Sequence, residues 1–263
     1  MAHEETKGRK GRGKVIVVMP AYKAERTIER AYREIPAGAA DETIVVDDAS
    51  PDGTARIAAE LGLPVIVHPQ NIGYGRSQKT CYAEALERGA DIIVMLHADA
   101  QYDASVIPEL TALIASGKAD IALGSRMKVP GDARRGGMPV SKIIVNRSLT
   151  ALQNRVFGVR LTDMHTGYRA YSRELLEKLP IATNSDGFLF DSQVLAQAAA
   201  FGAKFAEAPV KSRYFNDSSS IGFFHGMSYT AGTLLIVLKF LLLRLGLAKF
   251  KIFEPAEPRT SAQ

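Results

Sequence analysis

Short apolar runs that end in acids alternate along this chain with segments of helical spacing, and that alternation leaves few folds open. Thr43-Ile44-Val45-Val46 runs into Asp47-Asp48-Ala49-Ser50, and Asp91-Ile92-Ile93-Val94-Met95-Leu96 runs into His97-Ala98-Asp99-Ala100-Gln101. Both read as buried parallel strands, because they are continuously apolar rather than alternating. The unit recurs: strand Lys14–Met19 stopped by Pro20, helix Glu25–Ile35, strand Thr43–Asp47, helix Gly53–Leu61, strand Pro64–Val67, helix Gly75–Arg88, strand Asp91–Leu96, helix Ser105–Ser116 and strand Ala119–Leu123. Strands alternating with helices of about ten residues imply an α/β, Rossmann-like, mostly parallel sheet with right-handed crossovers and helices on its flanks. Ligands of such sheets sit beyond the carboxyl ends of the strands, so acids placed there face a common crevice. A dinucleotide-binding dehydrogenase is excluded, since Met19-Pro20-Ala21-Tyr22 stands where a glycine-rich turn would follow the first strand.

With 263 residues and 46% hydrophobic content, the chain can bury one sizeable core. A single cysteine, Cys81, excludes an intramolecular disulfide and a cysteine-rich zinc site, and fits a reducing compartment. Residues 1–14 hold no apolar core of the kind a secretory signal needs, so the catalytic part is expected in the cytoplasm or on the cytoplasmic face of a membrane. The net charge of +5 is concentrated at the ends. Lys7, Arg9, Lys10, Arg12 and Lys14 face only Glu4 and Glu5, and Lys239, Arg244, Lys249 and Lys251 have no acid among them. Basic ends around an acidic centre suit a membrane surface and do not suit nucleic acid, whose binders carry the basic patch on the core.

After Gly124-Ser125-Arg126 the pattern changes. Gly131-Asp132-Ala133-Arg134-Arg135-Gly136-Gly137 reads as a mobile loop, followed by a helix over Val140–Phe157, a returning strand over Thr166–Tyr171, helices over Arg173–Leu179 and Asp191–Phe201, and a strand over Lys204–Pro209. From Tyr229 to Ala248 the chain is almost wholly apolar, broken by Lys239 and Arg244. Twenty helical residues reach about 30 Å, the hydrocarbon thickness. These two cations lie about 140° apart on a helix and define no single polar face. A membrane-interface helix, a buried or oligomer-forming helix and a true span all remain open. The expected organisation is a disordered basic leader over 1–13, a catalytic domain over 14–215, a membrane-associating or packing helical segment over 216–253 and a disordered tail over 254–263.

Pro20-Ala21-Tyr22-Lys23-Ala24-Glu25, Val46-Asp47-Asp48-Ala49-Ser50-Pro51-Asp52-Gly53-Thr54, Asn71-Ile72-Gly73-Tyr74-Gly75, His97-Ala98-Asp99-Ala100-Gln101-Tyr102, Gly124-Ser125-Arg126 and Asp163-Met164-His165-Thr166-Gly167-Tyr168-Arg169 follow one another in this order. The set resembles the family 2 glycosyltransferases of GT-A fold, in particular the polyprenyl-phosphate glycosyltransferase group that includes dolichol-phosphate mannose synthase. By that resemblance Pro20, Tyr22, Glu25, Asp47, Asp48, His97 and Ala98 line the nucleotide pocket, with Asp48 placed to accept a hydrogen bond from the base and Arg213 a further diphosphate contact. Asp48 also makes good turn chemistry in Asp-Ala-Ser-Pro-Asp-Gly on its own account. Asp99 and Gln101 match the segment that holds a divalent ion, Mg²⁺ or Mn²⁺, bridging the nucleotide diphosphate. His97 occupies the first position of the family's Asp-x-Asp motif, which is a departure. Imidazole is a poor Mg²⁺ ligand and a better one for Mn²⁺, so His97 either shifts the metal preference or touches phosphate instead.

The resemblance places Arg126, Arg134, Arg135 and Ser141, with Lys142, around an acceptor phosphate. Asp191, with Asp186 behind it, is the candidate general base for a hydroxyl acceptor. A phosphate monoester, whose second pKa is about 6, is already ionised and needs only orientation, and Asp191 would then merely begin its helix. The resemblance thus implies an inverting, metal-dependent enzyme moving a hexose from GDP-mannose or UDP-glucose to a polyprenyl phosphate at a membrane surface, catalysis resting on Asp99, Arg126 and Asp191. A glycan-extending transferase using Asp191, and an inactive nucleotide-sugar-binding subunit prompted by His97, are the rival expectations. A homo-oligomer or a membrane-protein partner is compatible with each.

Overall fold

The structure, a computed structural model, describes residues 13–214 and 223–256. Expectations for the leader, for residues 215–222 and for the end beyond 256 lie outside the described residues. Seven strands, β1 (Val15–Ala21), β2 (Glu42–Asp47), β3 (Val65–Val67), β4 (Ile92–Met95), β5 (Ile121–Ser125), β6 (Arg169–Ser172) and β7 (Phe205–Pro209), form one sheet in the order β3-β2-β1-β4-β6-β5-β7. The helices among the described residues are α1 (Ile28–Arg33), α2 (Thr54–Glu60), α3 (Tyr74–Glu87), α4 (Ile107–Ala115), α5 (Asp132–Arg135), α6 (Val140–Phe157), α7 (Arg173–Lys178), α8 (Phe190–Ala200) and α9 (Phe223–Arg244).

Side chains of the central strands alternate between two cores, as the two-residue period of a strand requires. Ile16, Val18, Ile44, Ile93 and Met95 pack on the face that carries α3, α8 and α9, while Val15, Val17, Val45, Ile92 and Val94 pack on the face that carries α1 and α4. Proline does not stop β1, contrary to expectation: the strand runs through Pro20 to Ala21. Val18 faces β4, where its carbonyl accepts from Leu96 N at 3.0 Å. Pro20, two residues on, faces the same side, and β4 has ended at Met95, so its missing N–H leaves no ladder bond unmade.

The sheet is not wholly parallel. β6 runs antiparallel to both β4 and β5, with Arg169 opposite Met95 and Leu123. The chain leaves β5 at its carboxyl end and remains at that end through α6, so the next strand can only run back. This reversal sets Asp163–Arg169 beside the carboxyl ends of β1, β2 and β4. The stretch 131–137, expected as a mobile loop, contains the helical turn α5, because Ala133 and Met138 are buried against Met127. Of the three expectations for the apolar tail, the structure supports packing for one side of α9: Ile236, Val237 and Phe240 enter the core, whereas Leu234, Leu235 and Leu238 are exposed.

Candidate active site

Backbone strain is concentrated at the carboxyl edge of the sheet. Lys23, Ala49 and Ala100, after β1, β2 and β4, are non-glycine residues in the left-handed region, at φ 53°, 56° and 54°. Such conformations are uncommon for residues with a Cβ and cluster where function fixes the chain. Here they follow the carboxyl ends of three neighbouring strands, β2, β1 and β4. Tyr22 is exposed there, Pro20 and Glu25 are half-buried and Ala98 is buried. Glu25 Oε2 accepts from Gly53 N at 3.0 Å, which ties the turn after β1 to the start of α2.

Asp47 and Asp48 have different work. Asp47 Oδ2 accepts from Ser50 N at 3.0 Å, while its buried Oδ1 has no partner. Asp48 Oδ1 meets His68 Nδ1 at 2.8 Å and accepts from Ile72 N at 3.0 Å, and Oδ2 accepts from Gly73 N at 2.9 Å. An ionised carboxylate offers about four acceptor positions. Three are committed to holding residues 68–73, so Asp48 is a clamp on that loop with one acceptor position left at Oδ2.

Tyr74, the first residue of α3, joins His97, just after β4, to the acid of α8. Its hydroxyl lies 3.2 Å from His97 Nε2 and donates to Asp191 Oδ2 at 2.8 Å, and its ring stacks on His97 with centroids 5.5 Å apart. Burial, reinforced by Asp191, pushes the Tyr74 phenol up and keeps it a donor. Asp191 also accepts from Gln78 Nε2 at 3.2 Å and pairs with Arg169 Nη1 at 3.3 Å. Arg169 is fully buried and otherwise donates to the carbonyls of Met164, Thr166 and Asp191. Asp191 therefore does not cap α8; its side chain neutralises Arg169. Asp186 is separate from this group: its carboxylate pairs with Lys79 at 2.8 Å, and its carbonyl accepts from Gly75 N at 2.7 Å, covering the start of α3.

No cluster of three metal-ligating side chains occurs among the described residues. The donor set at the end of β4 nevertheless fits a hard cation. Mg²⁺ or Mn²⁺ is commonly held by one or two carboxylates, with substrate phosphates and water completing the shell. Half-buried Asp99 supplies one, with Oδ1 accepting from Gln101 N at 3.0 Å, and the Gln101 side chain is buried beside it. His97 Nε2 is turned toward Tyr74 and Gly167, so of its two nitrogens only Nδ1 is free of that contact. Gly167 makes this placement possible: a Cβ there would stand 2.3 Å from His97 Nε2. Gly167→Ala is expected to displace the imidazole and lower kcat/KM about tenfold, roughly 1.4 kcal/mol in the barrier, while the urea midpoint moves little. A variant with full activity would show that the position of His97 is unimportant.

The basic candidates divide. Arg126 does not present an open fork to an acceptor. It is buried and grips Asp163 through Nε–Oδ2 at 2.7 Å and Nη2–Oδ1 at 3.0 Å, with further bonds to His165 O and Tyr214 Oη at 3.0 Å each. Burial alone would raise the Asp163 carboxyl, but Arg126 and Asn146 hold it down at about 2. Arg135 and Arg213, by contrast, line one cleft of about 430 Å³ between α5 and residues 211–214. Arg213 Nη1 donates to Glu34 Oε1 at 2.7 Å, and Arg135 pairs with Asp132. Arg134, Ser141 and Lys142 are exposed nearby in sequence, on α5 and the first turn of α6.

Several residues of this network carried no expected role. Asp163, His165, Arg169 and Tyr74 stand inside the motif stretches, so their signal was present without an assignment. Gln78 and Tyr229 had none. Tyr229, on α9, is 2.7 Å from His165 Nδ1 and 2.9 Å from Ser192 Oγ, which joins the apolar tail to the site by polar bonds.

Strand order, the reversed β6 and an acid-bearing carboxyl edge define a GT-A-like fold. The architecture matches glucosyl-3-phosphoglycerate synthase from Mycobacterium tuberculosis, solved in complex with uridine-diphosphate, with a TM-score of 0.67 and 21% identity, covering 94% of this chain and 87% of that one. Residues 16–180 match the family model for Glycosyl transferase family 2, and the chain belongs to that family. Among its relatives, the low-salt glycan biosynthesis hexosyltransferase Agl6 of Haloferax volcanii is 34% identical over 200 residues, 74% of this chain but 46% of the relative, so the chain spans about half of that protein. The polyprenol monophosphomannose synthase of Mycolicibacterium smegmatis is 30% identical over 208 residues, 75% of this chain and 76% of the relative.

Proposed function

We propose that the chain transfers a hexose, with inversion, from a nucleoside-diphosphate sugar such as GDP-mannose or UDP-glucose to a polyprenyl phosphate at the cytoplasmic face of a membrane. An acceptor phosphate oxygen attacks the anomeric carbon as the bond from that carbon to the diphosphate oxygen breaks, and the nucleoside diphosphate departs with the electron pair. Asp99, with Gln101 and His97 at hand, would hold a divalent ion whose chemistry is to neutralise charge on the leaving diphosphate. Tyr22, Glu25 and the remaining acceptor position of Asp48 receive the nucleotide. Arg135 and Arg213 supply phosphate-binding forks across one cleft.

The observation that carries this reading is the state of Asp191. A hydroxyl acceptor needs a base, and Asp191 was the candidate. A proton taken up there would leave the buried guanidinium of Arg169 without its counter-charge, at 3.3 Å. A phosphate acceptor makes no such demand. The name of the Mycolicibacterium relative, a polyprenol monophosphomannose synthase, agrees with this choice.

The test offers labelled GDP-mannose and UDP-glucose, with Mg²⁺ or Mn²⁺, alongside a polyprenyl phosphate or the same polyprenol without phosphate. Chloroform-soluble label is expected only with the phosphate. Label on the free alcohol overturns the reading and returns Asp191 to the role of base.

A further inference from the structure

A surface helix of a soluble domain turns its polar side outward. Helix α9 does not. Met227, Leu234, Leu235, Leu238, Leu241 and Leu245 are all exposed, at the spacing of one helical stripe, opposite the buried Ile236, Val237 and Phe240. Helix α6 exposes apolar residues among cations: Val140, Ile144, Val145 and Leu152 are exposed beside Lys142, Arg147 and Arg155, while Asn146, Thr150 and Gln153 are buried together with Leu149 and Phe157. The two helices lie side by side. The rings of Phe157 and Phe240 meet at a tilt with centroids 4.7 Å apart, and Arg244 Nη1 donates to Val156 O at 3.1 Å. Val145, Leu152 and Val156 share one flank of α6 by helical spacing, so the exposed apolar flank of α6 borders α9.

Charge identifies what covers this surface. The chain holds 28 acids among 263 residues, yet none falls in 133–162 or in 218–253. Those segments carry Arg134, Arg135, Lys142, Arg147, Arg155 and Arg160 in the first, and Lys239, Arg244, Lys249 and Lys251 in the second. Apolar area bordered by cations, without a single acid, is complementary to an anionic lipid surface, where each Lys or Arg contributes about 1 kcal/mol. Two copies meeting through this face would set two acid-free, cation-bearing surfaces against each other. A span is disfavoured too: surrounding α9 with lipid would strip Tyr229 and Thr233 from His165 and Ser192, to which they are bonded at 2.7–3.1 Å.

We propose that α6 and α9 together form a single docking face for an anionic lipid monolayer, with α9 lying along the surface instead of crossing it. Docking through α6 also brings α5, with Arg134 and Arg135, to the headgroups. The inference deepens the lipid-acceptor reading and rests on it for its purpose. Its test uses neither donor nor acceptor, so failed docking and failed transfer are told apart.

The chain contains no tryptophan, so a single one reports its own surroundings. Ile144→Trp on α6, Leu238→Trp on α9 and Val67→Trp on the far edge of the sheet are mixed, each in the full chain, with phosphatidylcholine vesicles carrying about 30 mol % phosphatidylglycerol and acyl chains brominated at shallow or deep positions. Blue-shifted emission from Ile144→Trp and Leu238→Trp, both quenched best by shallow bromines, with Val67→Trp unaffected and binding more than tenfold weaker without phosphatidylglycerol, is the expected result. Deep quenching of Leu238→Trp with Ile144→Trp unquenched would establish a span and overturn the proposal. So would a concentration-dependent blue shift without vesicles, which marks a second copy, or no response to vesicles at all.

Discussion

Replacing Asp99 by alanine is expected to lower sugar transfer about a thousandfold, some 4 kcal/mol of transition-state stabilisation, with nucleotide binding weakened and the fold retained. The size follows from what the residue is asked to do. A diphosphate leaving group gathers charge as its bond to the anomeric carbon breaks, and a divalent ion stabilises that charge by several kcal/mol. Asp99 is the one carboxylate of the 97–101 segment. It also has a structural duty, since Oδ1 accepts from Gln101 N around the left-handed Ala100. The alanine variant removes both functions, so Asp99→Asn is the informative companion: it keeps an acceptor for Gln101 N and loses only the charge. Equal loss in both variants, read as kcat across a Mg²⁺ and Mn²⁺ titration with thermal melting as the control on folding, assigns the effect to charge. Full activity in Asp99→Asn would sink the metal-holding role and leave Asp99 a turn residue.

How much of this was readable beforehand differs from element to element. Strands β1 to β5 and helix α6 were legible because continuous apolar runs and a long periodic segment are strong signals. β6 was legible as a returning strand, but its place between β4 and β5 was not, because an apolar run looks the same whichever strands it lies beside. Its direction depends on α6 and the following loop remaining at one end of the sheet. The strand-end acids Asp47, Asp48 and Asp99 were legible as a set, being polar residues in places where local structure alone does not demand them. Their division of labour was not. Asp48 is committed to His68, Ile72 and Gly73 through contacts more than a dozen residues apart in sequence. Arg126 and Asp191 show the same limit more sharply. Sequence position marks each as a charge at the site, but only the fold supplies Asp163 and Arg169 as their partners, and those partners alter what the charges can do.

The second large effect concerns the response of the fold to acid, which those buried charges govern. His165 is pushed down to about 4, first by burial and then by repulsion from Arg126 and Arg169. In the unfolded chain it takes up a proton near pH 6.5. Between these values the unfolded state binds more protons than the folded one, so stability falls as pH drops from about 6.5 to about 4, by roughly 3 kcal/mol. Asp163 acts in the next window. Its folded value of about 2 lies below the ordinary 3.8, so its stabilising contribution is fully present above the ordinary value and is lost as pH falls toward about 2. The wild-type denaturation midpoint should therefore decline in two successive stages below neutrality. His165→Gln is expected to flatten the first stage and keep the second, and an unchanged slope between pH 6.5 and 4 in that variant would show that His165 is not the titrating group. Asp163→Asn should lower stability by about 3–5 kcal/mol above pH 4, because it leaves the buried Arg126 guanidinium without its counter-charge, and the difference from wild type should shrink as pH falls toward about 2. In that background the second stage should disappear. Pairing Asp163→Asn with Arg126→Met separates loss of the charge pair from loss of packing: recovery of stability in the double variant is expected if the unpaired charge is what costs the single variant its fold.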